Sequence, residues 1–143
     1  MVRLAQLGIA VGALGIVLTF MGLFPGVMGI TPAAGIGTVQ FFIILSGFTL
    51  LIFGALIYVK YAYYAEVGST LLQQIGVRLA LTGLMFSGLV GLADTLGFGS
   101  HPRSEGETYF GWLQAFGVLA GFLVASIGVL IYAVGGGDPT SSE

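Results

Sequence analysis

Side chains able to carry proton, metal or nucleophile chemistry are scarce in this sequence: six Asp and Glu, four Lys and Arg, one His and no Cys among 143 residues. Asp94, His101, Arg103, Glu105 and Glu107 fall in one polar segment, where a metal site or an acid–base pair is conceivable. Their spacing matches no fixed ligand pattern, and a solvated loop is the plainer reading. Without Cys there can be no disulfide, thiolate metal site or Cys nucleophile. With no credible nucleophile, base or metal set, neither an enzyme nor a cofactor is expected.

The long apolar segments carry no carboxylate in their middle. Proton-driven rotor subunits and small multidrug antiporters need one, because a buried carboxylate is the group whose ionisation can be gated there. Haem ligation between helices would need His or Met at facing positions; His101 lies in a loop, and Met21 and Met85 read as core filler.

Three polar residues remain within or at the edges of these segments. Arg78 lies a turn or so into the third, where a mid-bilayer guanidinium would cost about 2.5–3.5 kcal/mol. Close to the edge it can snorkel to the headgroups instead, or meet a partner or lipid phosphate. Gln40 and Gln114 occupy equivalent places in the second and fourth segments, where they either hydrogen-bond to each other across the molecule or sit among headgroups. Asp94 closes the third segment, so that helix, with a charge at each end, is expected to face protein.

The elements that must position these groups follow from composition. A mean hydropathy of +1.05, 57% hydrophobic and 7% charged residues are far from the soluble range, in which about a quarter of residues are charged. Four segments, roughly Leu4 to Phe24, Val39 to Val59, Ile75 to Leu96 and Phe110 to Val134, approach the about 20 apolar residues that a bilayer requires. The expected fold is an all-α membrane protein with four transmembrane helices forming a single domain over 1–143, ending in a polar tail over 135–143. The first run exceeds the about 7–15 residues of a signal's apolar region, which favours a retained helix. A net charge of −2 with no basic stripe argues against nucleic acid as a partner.

Arg3, Lys60 and Arg78 would share one side of the membrane against Arg103 on the other, which puts both termini in the cytoplasm of a plasma or inner membrane. Tyr58, Tyr61, Tyr63 and Tyr64 at one boundary, with Tyr109, Phe110 and Trp112 at the other, read as interfacial anchors rather than a stacked-ligand site. Ser69 is the expected N-cap of the third helix. The uncharged loop from Pro25 to Thr38 is too apolar to be freely solvated and should lie on the membrane or a partner.

The sequence also repeats. Sliding it by 74 residues lays Gly37-to-Tyr58 over Gly111-to-Tyr132 with ten of 22 positions identical, among them Gln40 with Gln114, Gly47-Phe48 with Gly121-Phe122 and Gly54 with Gly128. The first and third segments align more weakly at an offset of 66, with Ile9, Leu18, Phe20 and Leu23 over Ile75, Leu84, Phe86 and Leu89. Two tandem helical hairpins, about 4–59 and about 75–134, are expected as parallel copies about an axis along the membrane normal.

Glycines recur every seventh residue: Gly8, Gly15 and Gly22; Gly47 and Gly54; Gly76 and Gly83; Gly121 and Gly128. Seven residues is nearly two helical turns, so each set marks one face. In lipid, helices associate through close van der Waals contact, and glycine lets backbones approach. These stripes are expected to pack helices within the chain, or against other membrane subunits or a second copy. The function this permits is a non-catalytic accessory or structural membrane subunit; the alternative is a small channel or transporter whose path is lined by Thr19, Ser46, Thr49, Thr82, Ser87 and Ser126.

Overall fold

The computed structural model describes residues 2–29, 38–93 and 112–137, and among them there are four α-helices and no strand. They are α1 (Val2–Leu23), α2 (Thr38–Tyr63), α3 (Leu71–Gly91) and α4 (Trp112–Val134), with a 3-10 turn over Pro25–Met28 after α1. All four are long and apolar enough to cross a membrane. The His101 segment, Asp94 and residues 138–143 of the tail lie outside the described residues.

Local chemistry sets the ends. Pro25 lacks the N–H to continue α1 and opens the 3-10 turn, which Gly29 closes in the left-handed region at φ 74°. At α3 the cap is Thr70, not Ser69: its hydroxyl accepts from Gln73 N, while Gln73 Oε1 accepts from Thr70 N, a reciprocal capping box. That box starts α3 at Leu71, one residue later than a Ser69 cap would have it.

α1 runs antiparallel along α2, and α3 along α4; contact between the two pairs runs from α2 to α4 and α3 and is much sparser. The apolar core sits at that junction, where Ile52, Ala80, Leu84 and Ala125 are buried with Phe48, Leu56 and Val129 against them. Helix α1 sends no side chain into it. Its buried residues are all glycines: Gly8, Gly12, Gly15 and Gly22. Large apolar side chains are exposed on every helix, such as Ile9, Phe53, Leu89 and Leu123. Such coverage far exceeds what a water-facing surface tolerates and is compatible with an integral membrane protein.

Candidate functional site

Along α1 and α2 the seventh-residue glycines lie opposite one another. A Cβ placed on Gly8 would fall 2.6 Å from Tyr58 N and 2.9 Å from Gly54 O, and one on Gly15 would fall 2.5 Å from Gly47 O. From the other side, a Cβ on Gly54 would lie 2.6 Å from Gly12 Cα, and one on Gly47 2.5 Å from Thr19 N. Gly22 faces Ile44, whose side chain would be 2.6 Å from such a Cβ. These neighbours are mostly backbone and cannot swing aside, so only hydrogen fits.

The same pattern holds between α3 and α4. A Cβ on Gly76 would fall 2.7 Å from both Gly128 O and Tyr132 N, one on Gly83 2.5 Å from Gly121 O and Ala125 N, one on Gly128 2.5 Å from Gly76 O, and one on Gly121 2.7 Å from Gly83 O. Outside the seventh-residue stripes, a Cβ on Gly26 would have nothing within 4 Å, while one on Gly117 would meet the Val90 side chain.

Polar side chains act mainly on backbone carbonyls. Gln40 and Gln114 do not reach each other. Gln40 Nε2 donates to Gly22 O (2.6 Å), and Gln114 Nε2 to Val90 O (2.9 Å) and Gly91 O (3.0 Å). Each amide therefore adds a donor to carbonyls at the C-terminus of the preceding helix, where intrahelical donors run out; Val90 O also accepts from Ala93 N (3.3 Å). Thr19, Thr49, Thr82 and Ser126 donate to the carbonyl four residues earlier. Ser87, fully buried, donates across to Val118 O on α4 (2.8 Å). Ser46 is exposed on α2.

The contacts set a different register between α1 and α3 from the one side-chain identity suggested. Gly8 and Gly76, Gly15 and Gly83, and the carbonyl acceptors Gly22 and Val90 occupy like places against α2 and α4, an offset of 68 rather than 66.

At the opposite end, Gln73 and Thr70, absent from the sequence expectations, join Tyr64 around the C-terminus of α4. Gln73 Nε2 donates to Tyr132 O (3.4 Å), Tyr64 Oη to Ala133 O (2.6 Å) and Thr70 Oγ1 to Gly135 O, while Lys60 Nζ donates to Val67 O (2.9 Å) in the α2–α3 connection. Gln73 is only 1% exposed. Its one sequence signal was its place three residues after Thr70, the spacing of a capping box. Arg78 is exposed and borders an open cleft of about 220 Å³ together with Ser69, Gln73, Gln74, Val77 and Tyr132. Asp94, the other charge expected on this helix, lies outside the described residues.

No family model, curated protein or solved structure matches this chain.

Proposed function

We propose that the chain is a non-catalytic integral membrane protein, an accessory or structural subunit that packs into a larger membrane complex or a homo-oligomer. The observation that carries this reading is the engagement of Thr19, Gln40, Thr49, Gln73, Ser87, Gln114 and Ser126 by backbone carbonyls, in the same helix or the next. Groups so engaged stabilise helix pairs and are not available to bind or pass a solute. The stacked rings of Phe48 and Phe122 fill the junction between the pairs, where a path through one chain would have to run.

The architecture that fits best is two tandem hairpins with an approximate twofold axis along the membrane normal, each closed by facing glycines. Matching contacts at offsets of 74 and 68 support it. With an even number of spans, Arg3, Lys60 and Arg78 favour both termini on the cytoplasmic side. The glycine faces are then used within the chain, so partners would meet the exposed Leu, Ile and Phe side chains, above all those of α1, which leans on α2 alone.

Purification from native membrane in mild detergent tests the assignment: stoichiometric larger subunits, or a defined homo-oligomer, are expected. A monomer that after reconstitution carries ion or solute flux abolished by Gln40→Leu or Arg78→Gln would overturn it in favour of a small transporter.

A further inference from the structure

We infer that the cleft beside Arg78 binds a phosphate group. Arg78 and Gln74 are four residues apart on one face of α3, and side chains on a helix lean toward its N-terminus, so the guanidinium is directed toward the Gln74 and Ser69 end. Arg78 makes no ion pair among the described residues. Among the described residues no carboxylate lines the cleft; its polar lining is the Arg78 guanidinium, the Gln74 amide, Ser69 and Tyr132, with Gln73 already engaged by Thr70 N and Tyr132 O. The positive end of α3 adds to this field.

Tyr132 supplies the independent observation. It is 94% buried, being 6% exposed, yet its hydroxyl has no hydrogen-bond partner among the described residues. No buried side-chain oxygen there is left unpaired, so this hydroxyl is not sealed from its surroundings, and Tyr132 is one of the residues lining the cleft. A guanidinium without an ion pair and a phenol without a hydrogen-bond partner among the described residues, on residues that line one cleft, are donors lacking an acceptor. Phosphate fits because its oxygens accept several donors at once and pair with the guanidinium fork. A volume of about 220 Å³ suits one headgroup rather than a whole lipid.

Such a phosphate could belong to an anionic phospholipid or to a free phosphate ester. The lipid source rests on the membrane reading above; the recognition chemistry does not.

The test uses the full chain in detergent, delipidated and checked for folding by thermal unfolding. Binding of phosphatidylglycerol and of inorganic phosphate is followed by native mass spectrometry for the wild type, Arg78→Gln, Arg78→Lys, Tyr132→Phe and the control Arg3→Gln. Arg78→Gln should weaken binding about tenfold or more, with Tyr132→Phe and Arg78→Lys intermediate and Arg3→Gln unchanged. Phosphatidylglycerol binding that inorganic phosphate does not displace identifies a lipid headgroup; displacement identifies a soluble ligand. Equal binding by wild type, Arg78→Lys and Tyr132→Phe, or an equal loss in Arg3→Gln, overturns the site. Because Arg78→Lys and Tyr132→Phe are mild changes, an unfolded Arg78→Gln would still leave the question decided.

Discussion

Phe48 and Phe122 stack face to face, their ring centroids 4.1 Å apart and their planes 27° from parallel. They are 74 residues apart, the offset at which Gly37-to-Tyr58 aligns with Gly111-to-Tyr132 in the sequence. The stack lies where α2 and α4 come together, beside Ile52 and Ala125.

An aromatic pair of this kind contributes about 0.5–1.5 kcal/mol beyond its burial. A double-mutant cycle of Phe48→Leu and Phe122→Leu, followed by unfolding in detergent, should return a coupling of that size. Strictly additive effects would mean that the rings do not act as a pair.

The facing glycines should tolerate no side chain. Gly→Ala inside a helix gains about 1 kcal/mol of propensity, whereas forcing a methyl against fixed backbone costs about 1–3 kcal/mol. Gly54→Ala and Gly128→Ala should therefore lower stability on balance, and their Leu equivalents should prevent pairing. Gly26, with nothing within 4 Å, sets the baseline, its substitution by Ala staying within about 0.5 kcal/mol. Equal unfolding midpoints for all three Ala variants would contradict the packing.

Removing the amide of Gln40 or Gln114 should act on a helix other than its own. Such hydrogen bonds average about 0.6 kcal/mol in membrane helices. In Gln40→Leu, hydrogen exchange should quicken in the last turn of α1, where Phe24 N donates to Phe20 O. In Gln114→Leu it should quicken at the end of α3, and more strongly, since two carbonyls are released. Quickening confined to α2 or α4 would go against this.

Thr70 joins two structures, the start of α3 through Gln73 and the end of α4 through Gly135. Thr70→Ala should cost about 1 kcal/mol for the lost cap, with faster exchange at residues 133–135 as well as at 71–74. Ser69→Ala should leave both unchanged, which separates the observed cap from the neighbouring hydroxyl.

The long segments and the seventh-residue glycines were legible in sequence because both depend on local composition and helical period. The register between α1 and α3 was not. Its 66-residue alignment drew largely on residues such as Ile9, Phe20, Leu23, Ile75, Phe86 and Leu89, at least 46% exposed, where apolar residues recur without touching anything that fixes them; its Leu18–Leu84 match did include the buried Leu84. The contacts at 68 are set by Gly8, Gly15, Gly76 and Gly83, which a comparison of side chains weights least. The same limit applied at Gln40 and Gln114, whose equivalence was visible but whose acceptors are carbonyls, and carbonyls have no letter. Ser69 and Thr70 are alike as caps by type; only the reciprocal bond from Gln73 separates them. Tyr132 gave no sign of its free hydroxyl, which results from how α3 and α4 meet.

Because the fully buried residues of α1 are glycines set against α2, and α1 barely touches the second pair, the first two helices make most of their contacts with each other. Such a pair can latch as soon as its second helix has left the ribosome, before the rest has been translated. The later pair then joins a finished template along α2, so severing the backbone between Tyr64 and Thr70 should yield two fragments that find one another when made separately.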